Sequence, residues 1–208
     1  MTSILSPTKV LRGRWPEALA QVMTLRRAAA VSQKLPGWED FFVDPSVAPP
    51  GTTLWPTVKK LQGWRRHVAK FESVAIDIEA VGQYITIIGF TLFNQISVGP
   101  TVVVPFKTRG GLDYWTSWED HLAATKFCYE LLDDERTEKW FHNGVTFDVP
   151  MLQEAGFSVR GPLWDTMNLA HYTYPEMKKG LQYLSTAYLG MPNWKGMLDV
   201  KDDNEAKS

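Results

Sequence analysis

The clearest hydrophobic patterning lies between residues 73 and 106. SVAIDIEA, QYITIIGFTLF and GPTVVVPF are apolar runs of strand length separated by loops containing Gly, a pattern that predicts a meander of three antiparallel strands. The next segment, Ser117–Asp134, changes period. Leu122, Ala123, Phe127, Leu131 and Leu132 recur at three- and four-residue intervals, the spacing of one helix face. Ser117 is its expected N-cap, with Asp120 three residues on, where the usual capping box carries Glu or Gln. KWFHN then predicts a short strand, and GVTFDVPMLQEAGF a turn into a short helix that stops near Gly156. FSVRG reads as a small strand, Thr166 through Ala170 as helical with Asp165 as N-cap. KGLQYLSTAYLG repeats Leu181, Leu184 and Tyr188 at helical spacing and stops at Gly190. Upstream, WPEALAQVMTLRRAAAVSQK and LWPTVKKLQGWRRHVAKF show helical spacing, the second with Val58, Leu61 and Val68 as core positions. A stretch rich in Pro and Gly, Val43–Thr53, separates them. Three strands, a helix, a strand and further helices predict an α/β fold, a mixed sheet of about five strands flanked by helices.

The 208 residues, 44% of them hydrophobic with 9 Trp and 10 Phe, suffice for one domain with a sizeable core, or a domain plus an extension. The single cysteine, Cys128, excludes an intramolecular disulfide and a Cys-based zinc site. Its apolar helical neighbours make it a small core residue. No apolar run reaches the roughly 20 residues that span a bilayer, so no membrane partner is expected. Charge divides the chain. Residues 1–70 hold 11 Lys and Arg against 4 Asp and Glu, and residues 71–208 hold 11 against 19. The basic half suits contact with a phosphate backbone, and equally a solvated lead-in segment. The expected organisation is a basic, partly helical N-terminal extension or domain remnant over 1–70, a folded domain over 71–195 and an acidic tail over 196–208.

Candidate chemistry enters with the first strand. Asp77 and Glu79 are two residues apart in an otherwise apolar run, so in a strand they share one face while Ile76 and Ile78 share the other. Adjacent carboxylates repel unless positive charge stands between them, and hard divalent cations such as Mg²⁺ or Mn²⁺ prefer oxygen ligands. An edge strand with a wetted polar face is the competing explanation of this pair alone. Asp148, in HNGVTFDVPML, opens the predicted helix after the KWFHN strand. If that strand lies beside the first, Asp148 meets the other two carboxylates.

These residues carry a resemblance. Asp77-Ile78-Glu79, then Asn143-Gly-Val-Thr-Phe147-Asp148, then Asp165-Thr166 and Gly180-Leu181-Gln-Tyr-Leu184 stand in order. They resemble the motifs of the DEDD superfamily of 3′–5′ exonucleases with a ribonuclease H-like fold, over about residues 73–195. The set is especially similar to the proofreading domains of phage and bacterial family A DNA polymerases. The resemblance implies hydrolysis of DNA phosphodiester bonds with two Mg²⁺ or Mn²⁺ ions, held by Asp77, Glu79 and Asp148 as catalytic metal ligands. It places Asn143, Ala80 and Val81 against the terminal nucleotide of a single-stranded DNA 3′ end. Phe147 is expected to pack beneath the site, and Asp165 to support it. The implied partner is a polymerase domain, and the implied setting the cytoplasm of a bacterium or of a phage's bacterial host.

The family's third motif, Tyr-x-x-x-Asp or His-x-x-x-x-Asp on a later helix, has no counterpart at its expected place. Asp199, Asp202 and Asp203 follow Leu184 without a Tyr or His at that spacing. His171 and Tyr172 with Glu176 imitate it too early, and Pro175 breaks a helix there. The sequence reads as stopping before that motif. Weak or absent activity from this chain alone is the expectation, unless a partner supplies the helix. The alternative is a non-catalytic nucleic-acid-binding or polymerase-associated scaffold of the same fold.

Overall fold

A computed structural model describes residues 51–108 and 110–189. Its strands are β1 (Thr52–Thr53), β2 (Ser73–Val81), β3 (Tyr84–Phe93), β4 (Val98–Pro105), β5 (Glu138–Phe141) and β6 (Leu163–Asp165). Its helices are α1 (Val58–Arg65), α2 (Trp118–Asp133), α3 (Asp148–Glu154), α4 (Thr166–Thr173) and α5 (Leu181–Leu189). Among the described residues, 51–168 belong to the compact unit that contains the sheet, and 169–189 to a second unit.

The six strands form one sheet in the order β1-β4-β3-β2-β5-β6. β2, β3 and β4 are the antiparallel meander, whereas β5 runs parallel to β2 and β6 parallel to β5. The extra strands are the short β1, parallel to β4, and β6, which forms later than the strand expected at FSVRG. There, Phe157 and Val159 pack against the core, and the Arg160 N–H bonds the Leu132 carbonyl at 3.0 Å. That segment thus caps the end of α2 instead of joining the sheet, and Gly161 at φ +83° turns the chain into β6.

Alternation along β2 sends Val74, Ile76 and Ile78 into the core with Ile88, Phe90 and Leu92 of β3. Phe127 of α2 meets Phe90 edge-on at 6.1 Å and Trp64 of α1 at 5.6 Å. Each such fully buried side chain contributes about 1.5–3 kcal/mol. The Ser117 hydroxyl caps α2 by accepting the Asp120 N–H at 3.1 Å. The buried stripe of α2 is Ala124, Phe127, Cys128, Leu131 and Leu132. Leu122, expected in the core, is 53% exposed, because the stripe follows the i, i+3, i+4, i+7, i+8 rows starting from Ala124. In α5, Leu184 and Ala187 are buried while Leu181 and Tyr188 are exposed, again a face rotated from the expected one. The helix expected from Trp15 to Lys34 and the acidic tail lie outside the described residues.

Candidate active site

The site begins where two parallel strands part. β2 and β5 pair only at Ser73–Ala75 with Glu138–Trp140, so beyond Ala75 the ladder leaves a gap toward their carboxyl ends, the usual place for a ligand in such sheets. Asp77 and Glu79 lie on the exposed face of β2 within this region. A register shift between Glu79 and Ala80 ends the regular alternation just after them.

From the other side, the chain leaves β5 through His142 and Asn143, turns, and starts α3 with Asp148. The turn is made by its own backbone. The Thr146 and Phe147 N–H groups donate to the Asn143 carbonyl at 3.3 and 3.1 Å, and the Val149 N–H donates to the Gly144 carbonyl at 2.8 Å. Asn143 has φ +64°, a left-handed conformation that Asn tolerates better than most residues. Gly144 packs so closely on Phe141 that an added Cβ would stand 2.2 Å from the Phe141 Cβ.

Asp148 is 4% exposed and accepts the Ile78 N–H at 3.1 Å. Where β5 has diverged, a carboxylate replaces a neighbouring strand as acceptor for β2, between Asp77 and Glu79. Burial pushes the Asp148 carboxyl up to about 6; the Ile78 N–H opposes the shift, and the nearby charge of Asp77 adds to it. Asp77 and Asp148 are therefore brought within electrostatic reach of each other. Glu79 shares the strand face with Asp77, but among the described residues no three His, Cys, Asp or Glu side chains converge as a ready-made metal cage. The donors at hand are carboxylate oxygens, and Asp148 is a carboxyl raised by burial and, to a lesser degree, by a like charge. That chemistry fits a hard divalent cation.

Asp165, at the end of β6, is buried and accepts four backbone N–H groups. Oδ1 takes those of Asn143, Met167 and Asn168 at 3.0, 2.8 and 3.3 Å, and Oδ2 takes that of Val145 at 3.2 Å. Burial pushes this carboxyl up, but the four donors outweigh it and hold it below the ordinary Asp value. Asp165 thus caps α4 and also grips the turn that precedes Asp148. The partners in the second task are 22 and 20 residues away, so no local pattern in the sequence names them. The same is true of Thr166, whose hydroxyl donates to the Phe141 carbonyl at 3.1 Å and lies 2.9 Å from His142 Nδ1.

The expected nucleotide contacts are spread more widely. Ala80 is half-buried, and Val81 is exposed at the end of β2, where it lines a cavity of about 520 Å³ with Tyr84 and Lys107. Phe147, expected beneath the site, is instead 46% exposed, because the turn directs Asp148, not Phe147, into the gap. Arg65, in the basic N-terminal part of the chain, is ion-paired with Glu130. His171, Tyr172 and Glu176 are exposed beyond or at the end of α4, which stops at Thr173 before Pro175.

No protein-family model matches the chain, and no curated protein matches it. Solved structures do. The catalytic core of RRP6 from Trypanosoma brucei aligns with a TM-score of 0.50 at 15% identity, over 72% of this chain and 37% of that one. The fold, a mixed six-stranded sheet flanked by helices, is ribonuclease H-like. Brucella melitensis NrnC with bound Mg²⁺ aligns at 0.44 and 19% identity, over 60% of this chain and 56% of that one. Escherichia coli RNase D, an exoribonuclease involved in structured RNA processing, aligns at 0.43 and 21% identity, over 65% and 32%. The match thus spans about half of the Brucella protein and a third of RNase D.

Proposed function

We propose that this chain is a 3′–5′ exonuclease-type domain that binds the 3′ end of single-stranded DNA at Asp77, Glu79 and Asp148 together with Mg²⁺ or Mn²⁺. The observation that carries the reading is the buried Asp148 carboxylate on the Ile78 N–H, beside a second carboxylate that repels it. A folded protein keeps such a pair where a cation offsets the repulsion. Asp77 and Asp148 would hold the cation, and the exposed Glu79 side chain is free to swing to it from the same strand face. When bound, such ions stabilise charge on the attacking and leaving oxygens of an in-line phosphodiester displacement. The chain's own residues bind and orient. Val81 and Tyr84 offer an apolar surface to the terminal nucleotide, Asn143 would contact it from the turn after β5, and the exposed Phe147 ring is available to stack on a base. A polymerase is the partner that the motif order favours.

A second reading has its own support. No three-carboxylate group is assembled among the described residues, which favours a nucleic-acid-binding module that does not cleave. The deciding experiment incubates a 5′-labelled single-stranded oligodeoxynucleotide with the protein in Mg²⁺ or Mn²⁺. Weak stepwise shortening from the 3′ end, abolished by Asp77→Ala, is the expected result. Binding without shortening, unaffected by Asp77→Ala, establishes the non-catalytic module. Preference for an RNA oligonucleotide overturns the DNA assignment.

A further inference from the structure

The four N–H groups that converge on Asp165 belong to two different pieces of chain. Met167 and Asn168 are the first turn of α4, so an N-cap alone explains those two bonds. Asn143 and Val145 lie in the turn between β5 and α3, and capping does not require them. Thr166 adds a third grip on that piece. Its single hydroxyl proton goes to the Phe141 carbonyl, so His142 Nδ1 is the donor in the 2.9 Å contact between them. Together Asp165 and Thr166 hold every residue from Phe141 to Val145 except Gly144, and Gly144 is itself wedged against Phe141.

The clamped turn holds Asn143 in the left-handed region, a conformation that costs about 1–3 kcal/mol unless the surroundings enforce it. Two N–H bonds into one carboxylate, on either side of Gly144, supply that enforcement. The turn delivers the chain to Asp148, whose carboxylate must reach the Ile78 N–H across the gap left by the diverging strands.

We infer that Asp165, assisted by the Thr166 hydroxyl, is a positioning residue that sets the Asn143–Val145 turn and thereby places Asp148 against Ile78. Its importance for cation binding rests on the proposed role of Asp148; the placement itself does not. Asp165 touches neither substrate nor cation in this scheme.

Two substitutions separate positioning from capping. Asp165→Ser keeps a hydroxyl able to cap α4 but is too short to span to Asn143 and Val145. Asp165→Asn keeps an acceptor oxygen at Oδ1 and loses only the Val145 bond at Oδ2. The measurement is amide hydrogen exchange in the full chain without metal, followed by Mn²⁺ titration of the same samples. In Asp165→Ser the Ile78 amide is expected to exchange about tenfold faster or more, while Met167, Asn168 and the core amide of Phe90 keep their wild-type rates. In Asp165→Asn the Ile78 rate is expected to stay within about threefold of wild type. Mn²⁺ affinity should fall in the same order. Unchanged Ile78 exchange in Asp165→Ser overturns the inference and leaves Asp165 a plain helix cap. A wild-type protein that binds no Mn²⁺ defeats the nuclease reading, while the Ile78 result still decides this one. If Asp165→Ser unfolds, Thr166→Val tests the same turn from its third grip, with the same expected rise at Ile78 and the same overturning result.

Discussion

Asp148 answers to two opposed demands. Its carboxylate completes the hydrogen bonding of β2, yet burial and the charge of Asp77 raise its pKa to about 6. A carboxyl raised in the folded state contributes stability that is fully present below its unfolded value, near 4, and is lost as pH rises through 6. Asp165 has the opposite sign: its lowered pKa stabilises the fold above the ordinary Asp value, and that contribution disappears in stronger acid. Urea melts of the metal-free protein should therefore show Asp148→Asn gaining on wild type between pH 4 and 7. The gain at pH 7 is expected to be about 1–2 kcal/mol after allowance for solvent screening. Equal differences at pH 4 and pH 7 would contradict the assignment. The same substitution should weaken Mn²⁺ binding, a trade between stability and site chemistry common at functional carboxylates.

At the scale of elements, the junctions decide the geometry more than the strands do. β6 is placed by the turn at Gly161, where φ is +83° and a Cβ would stand 2.7 Å from the Glu135 carbonyl oxygen. That contact is with backbone at the end of α2 and has little room to relax. Gly161→Ala is expected to cost about 2–4 kcal/mol through strain and overlap, read as a drop in thermal midpoint. Because β6 carries Asp165, the Ile78 amide should lose protection as well. The pattern of apolar residues foretold which segments are helices and strands, since period is a local property. It found Phe127, Leu131 and Leu132 of the buried stripe of α2 and Leu184 of α5, but it took the exposed Leu122, Leu181 and Tyr188 for the same faces and placed a strand at FSVRG. Those outcomes depend on neighbours such as Leu132, whose carbonyl captures Arg160, and no local pattern contains them.

For the whole molecule, the consequence is linkage between fold and cation. An ion that binds only the native site stabilises the protein by about 2.7 kcal/mol at a concentration one hundred times its Kd. Thermal melts should thus shift upward on adding Mn²⁺, return on chelation with EDTA, and shift far less in Asp77→Asn. An equal shift in wild type and Asp77→Asn would place the ion elsewhere. The likeness to the RRP6 catalytic core, at 15% identity, is one of fold.

The sequence by itself determined the ingredients: an apolar β2 carrying Asp77 and Glu79 on one face, a Gly-containing turn before Asp148, and Asp165 able to cap a helix. Period-two alternation and turn chemistry are written residue by residue, so these were legible along the chain. Only the tertiary structure decided how they combine. The parting of β2 and β5 after Ala75 frees the Ile78 N–H for Asp148. The return of the chain through β6 brings Asp165 onto Asn143 and Val145. Both are contacts between segments 20 to 70 residues apart, made by sheet register, and register is a property of paired strands, not of either strand alone.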